Sequence, residues 1–134
     1  MASKMKLSIV TPEKKFYAGE VKEINTQTEN GGIGILPEHI PFVGLLKPAE
    51  TRFKLEDGTE KVAFTSTGLM KVTKTEVEML VDASEWPEEI DVRRAEEAKK
   101  RAEERLNKEP GKTDTARAEI ALQRAVARIK TKGI

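Results

Sequence analysis

Cysteine is absent from the 134-residue chain, and histidine occurs only once. The lack of cysteine excludes disulfide bonds, thiolate metal sites and a cysteine nucleophile, and a single histidine excludes a multi-histidine metal site. No apolar run approaches the roughly 18 residues of a membrane-spanning helix. Residues 1–6 are followed by no long apolar core, so no signal peptide is visible and we expect a soluble, cytosolic protein.

A large net charge is also lacking, because 24 Lys and Arg residues balance 23 Asp and Glu residues to a net charge of +1. No strong global field therefore draws the chain to nucleic acid or to an anionic membrane. The C-terminal segment is an exception, since residues 112–134 carry six basic and two acidic side chains. This segment suits an acidic surface, for which nucleic acid is the generic candidate. The aromatic side chains that stack on bases are missing there.

The composition of the chain changes near residue 87. Residues 1–87 hold seven of nine glycines and five of six prolines, whereas residues 88–134 hold seven of eight arginines. The first stretch has the composition of short strands and turns, and the second has that of helices. We therefore predict an α+β fold, mainly β, with one domain over residues 1–86 and a helical unit over residues 87–134.

The N-terminal stretch alternates apolar and polar residues in the manner of half-buried strands. Met5, Leu7 and Ile9 alternate with polar residues, and residues 51–55 do the same. Asp57-Gly58 then predicts a type I′ hairpin turn, in which both central residues have positive φ. Turn signals recur every 8–12 residues along this stretch, which favours an antiparallel sandwich or barrel.

The C-terminal stretch predicts two antiparallel helices, over about residues 88–107 and 114–131. Pro87 suits a first helical turn, Pro110-Gly111 separates the two helices, and Thr113 or Asp114 can cap the second. The apolar faces consist largely of alanine, so the seam between the helices buries little area and the hairpin needs docking, a ligand or a partner. These faces contain Ala95, Ala98, Ala102 and Leu106 in the first helix and Ala118, Leu122, Ala125 and Ile129 in the second.

Residues 31–41 invite a phosphate-loop interpretation, which fails. The third glycine of a G-x-G-x-x-G pattern falls on Pro37, and no Gly-Lys-Ser/Thr follows. We interpret the segment as a glycine-rich strand bend closed by prolines, and His39 within it as an exposed contact residue without a nucleophile beside it in sequence. Trp86 is interpreted as a packing anchor at the domain junction. The sequence therefore predicts no catalytic residues.

Arginine spacing in the helical unit suggests a binding site. Folding the hairpin near residues 110–111 brings Asp91 and Arg94 opposite Arg124 and Arg128. Guanidinium groups suit phosphate oxygens, and their mutual repulsion calls for an anion or for carboxylates. The competing interpretation is a solvated helix face of Glu–Arg pairs, each worth about 0.3–0.5 kcal/mol.

Taken in order, several motifs along nearly the whole chain resemble one family. The string Gly-Ile-Leu-Pro-Glu-His-Ile-Pro at residues 34–41 is highly specific. The chain resembles the epsilon subunit of bacterial F-type ATP synthases, which implies an N-terminal β-sandwich followed by a two-helix antiparallel hairpin. The other matching segments are residues 8–12, 62–64, 66–72 and 90–95.

The resemblance implies a non-catalytic rotor subunit of the central stalk, peripheral to the cytoplasmic face of the bacterial cell membrane. The implied partners are the gamma subunit and the c-ring, with His39 as a c-ring contact; Gly32 stands where some members carry an acidic residue near this loop. The helices would regulate ATP hydrolysis by switching between a folded and an extended form. When extended, they would meet the beta and alpha subunits, with the beta contacts at Arg117, Arg124 and Lys130.

Residues 90–95, Ile-Asp-Val-Arg-Arg-Ala, fit the I/L-D-x-x-R-A motif through which some bacilli-type members bind ATP. The resemblance implies ATP as a regulatory ligand, with no metal strictly required and no catalytic residue. The alternative from another class is a basic helical-hairpin adaptor for nucleic acid or acidic protein surfaces, which leaves residues 34–41 and 90–95 without a role. The implied ATP contacts are Glu85, Ile90, Asp91, Arg94, Ala95, Arg101, Arg124 and Arg128.

Overall fold

The structure, a computed structural model, describes residues 4–108 and 115–133. The predicted break at Pro110-Gly111 and the predicted cap at Thr113 or Asp114 lie outside these residues. Within the described ranges, ten strands precede a 3₁₀ turn and two helices. The strands are β1 (Met5–Val10), β2 (Lys15–Val21), β3 (Glu23–Thr28), β4 (Gly31–Ile35), β5 (Phe42–Leu46), β6 (Ala49–Lys54), β7 (Glu60–Thr65), β8 (Gly68–Val72), β9 (Glu76–Val81) and β10 (Ser84–Glu85). The 3₁₀ turn is Pro87–Glu89, and the helices are α1 (Val92–Leu106) and α2 (Thr115–Lys132).

The strands form one continuous sheet in the order β10-β7-β6-β3-β5-β8-β9-β1-β2, with β4 paired to β3. Side chains from β1 to β9 meet in one apolar cluster, so the sheet encloses its own core. The fold class, a β-sandwich followed by a two-helix unit, is confirmed. One pair, β1 with β9, is parallel; the apolar alternation did not reveal this, because it has the same period in both directions. The largest fully buried side chains of the core include Leu7, Ile9, Ile24, Ile35, Phe53, Met70 and Met79.

The hairpin between β6 and β7 was predicted correctly, but its turn type was not. Of the two central residues, Gly58 has a positive φ, at 89°, whereas Asp57 does not. Gly58 donates its N–H to the carbonyl of Leu55 at 3.0 Å, which closes a turn followed by one left-handed glycine. Asp57 accepts the backbone N–H of Thr59 at 2.9 Å and is held in this turn. Hydrogen bonds from Thr59 keep the pKa of Asp57 below its ordinary value.

The first helix begins at Val92, four residues after the predicted start near residue 88. Pro87–Glu89 forms a separate 3₁₀ turn, and Ile90 has extended backbone angles of φ −81° and ψ 123°. Ile90 is buried against the sandwich, which pulls the chain out of a helical path at this point. Asp91 then caps α1 by accepting the N–H of Arg94 at 3.1 Å.

The helices pack on each other through alanines and also dock on the sandwich. Residues 86–91, which join β10 to α1, are called the linker. Within α2, Ala127 packs against Phe64 of β7 and against Ile90 of the linker. Trp86 packs against the core as predicted, with its ring 4.5 Å from that of Phe16. Docking thus supplies the stabilisation that an alanine seam lacks. The buried seam residues are Ala95 and Ala102 in α1 and Ala118 and Ala125 in α2.

Candidate functional site

A cavity of about 470 Å³ lies where the linker after β10, α1 and α2 meet. This volume falls within the roughly 300–1,000 Å³ that is typical of ligand sites. Its charged lining consists of three carboxylates and three guanidinium groups, so the two charge types balance. The residues that line it are Glu85, Glu89, Asp91, Arg94, Ala95, Ala98, Arg101 and Arg128.

Helix geometry explains how α1 contributes to the cavity. Arg94 and Arg101 are seven residues apart, so they lie two turns apart on one face of the helix. Ala95 and Ala98 stand between them and line the same cavity. Because these side chains are methyl groups, space remains beside the guanidinium groups. Asp91 is placed at the cavity by its role as the N-cap of α1.

Arg128 brings α2 to the same cavity. Its Nε donates to Oε1 of Glu85 at 2.6 Å, a short charge-assisted hydrogen bond between half-buried side chains. The guanidinium carbon also lies 4.5 Å from the ring centroid of Phe64, within cation–π range. Phe64 and Glu85 face each other in the β7–β10 pair, so the sandwich itself positions both partners of Arg128.

The other two arginines of the cavity lack such a partner. Among residues 4–108 and 115–133, no carboxylate lies within ion-pair distance of Arg94 or Arg101. Their charges are therefore available to an anion. Over the same residues, no group of three or more Asp, Glu or His side chains is arranged to hold a metal ion. The arrangement favours an anionic ligand bound by guanidinium groups.

Six of the eight residues that the resemblance implied for ATP lie together at this cavity, and two do not. Ile90 is buried in the cluster with Phe64 and Ala127. Arg124 is half-buried on α2, one turn before Arg128, and does not line the cavity. The six at the cavity are Glu85, Asp91, Arg94, Ala95, Arg101 and Arg128.

Sequence reasoning missed two lining residues, Glu89 and Ala98, as parts of the site. Glu89 accepts the backbone N–H of Trp86 at 2.8 Å, three residues before it. This bond is one half of a capping box, whose sequence signature is Ser or Thr followed three residues later by Glu or Gln. Because Trp86 stands in place of Ser or Thr, that signature is absent and Glu89 could not be found from it.

The loop that contains His39 differs from the expectation of an exposed histidine. His39 is half-buried, its ring centroid is 5.4 Å from that of Phe42, and its Nδ1–H donates to the carbonyl of Ile40 at 2.8 Å. Two large apolar side chains of this loop are exposed, Leu36 at 58% and Ile40 at 78%, and the charged Glu38 between them is exposed as well.

A second exposed apolar surface crosses the outer face of the sheet. Leu45, Leu69 and Leu80 lie directly opposite one another on β5, β8 and β9. They are 53%, 37% and 42% exposed, respectively. We call these three residues the leucine row. Contiguous exposed apolar residues of this kind mark protein interfaces.

The three basic residues expected to contact beta lie on α2. Arg117 and Lys130 are exposed, and Arg124 is half-buried. Lys130 borders a groove of about 390 Å³ between α2 and β6, separate from the arginine-lined cavity.

Two family models together match residues 4–133 of the chain. Residues 4–87 match the family model described as ATP synthase, Delta/Epsilon chain, beta-sandwich domain. Residues 88–133 match the model described as ATP synthase, Delta/Epsilon chain, long alpha-helix domain. The chain therefore belongs to the delta/epsilon chain family of ATP synthases.

Curated relatives narrow the assignment to epsilon chains. The chain is 52% identical over 130 residues to the ATP synthase epsilon chain of Clostridium novyi. The aligned region covers 97% of this chain and 98% of the relative. It is 45% identical over 129 residues to that of Bacillus velezensis, covering 96% and 97%. The predicted epsilon subunit of a bacterial F-type ATP synthase is thus confirmed, and with it a central-stalk subunit that is not itself catalytic.

Solved structures show the same fold. A chain in the mitochondrial ATP synthase of Euglena gracilis has a TM-score of 0.82 at 22% identity, covering 95% of this chain and 80% of that one. One in the central stalk and c-ring of the Tetrahymena thermophila enzyme has a TM-score of 0.62 at 13% identity, covering 96% of each chain. Within the part of the chain that the structure describes, neither α1 nor α2 combines the length and the hydropathy that a membrane-spanning helix requires.

A contact at the end of α2 leads to a testable expectation about docking. Lys132 donates from Nζ to the carbonyl of Pro87 at 2.8 Å, which ties the last turn of α2 to the linker. Lys132→Met keeps the apolar stem and removes this bond, so we expect the docking of α2 to weaken by about 0.5–1.5 kcal/mol. Amide hydrogen exchange should show faster exchange in α2, with the strands unaffected.

Lys130→Met is the matched control, because Lys130 is exposed on the same helix and no hydrogen bond ties it to the linker in the described part of the chain. Equal protection of α2 from amide hydrogen exchange in both variants would show that the Lys132–Pro87 contact does not contribute to docking.

Proposed function

We propose that the cavity is a regulatory ATP site and that ATP stabilises the folded, docked form of the helical hairpin in this stalk subunit. The convergence of arginines from both helices carries the proposal. Arg94 and Arg101 come from α1 and Arg128 from α2, and all three line one cavity. Extension of α2 away from α1 would dismantle this lining, so a ligand that needs all three groups binds the folded form.

The charge distribution supports an orientation for the nucleotide. Arg94 and Arg101 have no carboxylate partner in the described residues, so the phosphates are placed against them. Arg128 joins them by exchanging its bond to Glu85 for a bond to a phosphate oxygen. Guanidinium groups supply the countercharge, so magnesium is not strictly required. Hydrolysis of the bound nucleotide is not part of the proposal.

The energetics suit a switch. A ligand shifts a conformational equilibrium only by its differential affinity for the two states. At a hundredfold excess over its dissociation constant, ATP would stabilise the folded form by about 2.7 kcal/mol. The seam between the helices consists of small side chains, and we propose that a shift of this size changes which form dominates.

The extended form is the proposed inhibitor of ATP hydrolysis. In that form the basic α2 would reach into the catalytic head, with Arg117, Arg124 and Lys130 facing an acidic surface of the beta subunit and with alpha nearby. Low ATP would favour this form and stop hydrolysis. High ATP would return α2 to the sandwich.

Two exposed surfaces suit the stalk partners. The leucine row is assigned to the gamma subunit, since it is an exposed apolar surface on one face of the sheet. The loop of residues 36–41, including His39, is assigned to the c-ring, and the subunit is proposed to be peripheral to the cytoplasmic face of the bacterial membrane. Crosslinking in the assembled complex from Leu69→Cys to gamma and from Ile40→Cys to the ring tests both assignments, and the opposite pairing would refute them.

Calorimetric titration of the full-length chain tests the ATP site. We expect one ATP per chain, weaker binding of ADP because it offers fewer phosphate oxygens to the arginines, and binding that persists when magnesium is chelated. No heat of binding at millimolar ATP would refute the site. Equal affinity for ATP, ADP and AMP would refute the placement of the phosphates against Arg94 and Arg101.

A further inference from the structure

Glu89 lies at the cavity without belonging to the Ile-Asp-x-x-Arg-Ala motif or to the predicted contacts. It is one of three carboxylates there, and each of the three accepts one hydrogen bond within the described part of the chain. Glu85 is bound to Arg128 at 2.6 Å. Asp91 caps α1 through the N–H of Arg94. Glu89 makes neither an ion pair nor a helix cap for α1 in the described part of the chain.

The position of Glu89 is preset. Its Oε1 accepts the N–H of Trp86 at 2.8 Å, and the 3₁₀ turn Pro87–Glu89 begins with a proline of fixed φ. A carboxylate has about four acceptor positions on its two oxygens, so accepting one N–H leaves the second oxygen available. An acceptor held in this way loses little conformational entropy when a ligand binds.

Electrostatics decide which part of a nucleotide can meet this acceptor. A phosphate placed beside Glu89 would be repelled by its negative charge. A neutral hydrogen-bond donor would be attracted, and a nucleotide offers such donors only at its nucleoside end. In the proposed site the three arginines of the cavity bind the phosphates, so the nucleoside lies beside the carboxylates.

We propose that Glu89 is a specificity-determining residue of the cavity, which accepts a hydrogen bond from a ribose hydroxyl or from the exocyclic amine of the base. This inference rests on the proposed ATP site. It makes nucleoside recognition depend on the linker turn rather than on α1 or α2. Because Trp86 holds the carboxylate, the recognition element belongs to the junction between sandwich and hairpin.

Glu89→Gln tests this role with little change in shape. The amide carbonyl can still accept the Trp86 N–H, but an NH₂ donor replaces the oxygen that would face the nucleoside. We expect ATP affinity to fall tenfold or more, because a hydrogen bond to a charged acceptor is lost. Affinity for inorganic tripolyphosphate should stay the same or rise, since a negative charge has been removed.

Nucleoside analogues identify the donor. Calorimetry compares ATP with 2′-deoxyATP, 3′-deoxyATP and inosine triphosphate, which lack one ribose hydroxyl or the exocyclic amine. The wild-type chain should discriminate against one of these by about tenfold or more, and Glu89→Gln should abolish that discrimination. Glu88→Gln is the control, because Glu88 is exposed, lies in the same turn and does not line the cavity. Emission of the single tryptophan, Trp86, verifies that the turn is intact.

The outcomes separate this inference from the function on which it rests. If the wild-type chain binds neither ATP nor tripolyphosphate, the proposed site fails and Glu89 loses its role with it. If the wild-type chain binds both, but Glu89→Gln leaves discrimination intact or weakens both ligands equally, Glu89 is only structural and the ATP site stands. Loss of discrimination in Glu88→Gln as well would also overturn the assignment.

Discussion

Replacing Arg94 by alanine should weaken ATP binding by about 10- to 150-fold, the largest loss expected from any single change at the cavity. A hydrogen bond to a charged group contributes about 1.5–3 kcal/mol, and a guanidinium can make two to one phosphate. Arg94 has no carboxylate partner among the described residues, so its removal leaves no buried charge unpaired and the loss reflects the ligand alone. Isothermal titration calorimetry with ATP measures it directly.

Arg93→Ala is the matched control for this experiment. Arg93 is the adjacent arginine on α1, is exposed and does not line the cavity. Its removal changes the net charge equally, so a general electrostatic effect would appear in both variants. Arg94→Lys should recover only part of the affinity, because an ammonium lacks the planar fork. Tight ATP binding by Arg94→Ala would contradict the assignment of the phosphate side of the cavity.

Replacing Gly68 by alanine should give the largest loss of sandwich stability, about 3 kcal/mol in the free energy of unfolding. A Cβ at this position would lie 2.0 Å from the carbonyl oxygen of Leu80 and 2.7 Å from the Cα of Val81. Both are backbone atoms of β9, which pairs with β8 at this point. Neither can move without disturbing the strand pair. Urea denaturation followed by circular dichroism measures the change.

Gly32→Ala provides the comparison. A Cβ there would meet only the side-chain end of Gln27, at 3.3 Å, which can rotate away. The two substitutions are chemically identical, so backbone entropy in the unfolded state cancels between them. Equal stability of the two variants would show that β8 and β9 can separate without cost near Gly68.

Local patterns in the sequence were sufficient for much of the fold. The alternation in residues 5–9 specified a strand with one buried face, and Met5, Leu7 and Ile9 are buried. The alanine spacing specified which faces of the two helices meet. The relative direction of two strands that are distant in sequence could not be predicted in this way, so the parallel pairing of β1 with β9 was missed. The start of α1 was also misplaced, because the burial of Ile90 against Phe64 is a tertiary contact.

The candidate site was only partly predictable for the same reason. Helical spacing correctly grouped Asp91, Arg94 and Arg128 at one place. It also grouped Arg124 with them, since spacing alone does not distinguish two arginines one turn apart. The distinction comes from Glu85 of β10, which approaches Arg128. That contact links residues 43 positions apart in sequence.

The most direct measurement for the proposed switch is the distance between α1 and α2 with and without ATP. The chain contains no cysteine, so probes can be attached at Glu96→Cys on α1 and Lys130→Cys on α2, both exposed and outside the cavity. We expect ATP to shift the distance distribution toward the short separation of the folded hairpin, and we expect Arg94→Ala to abolish this shift. Saturating ATP that binds without changing the distribution would contradict an ATP-sensing hairpin.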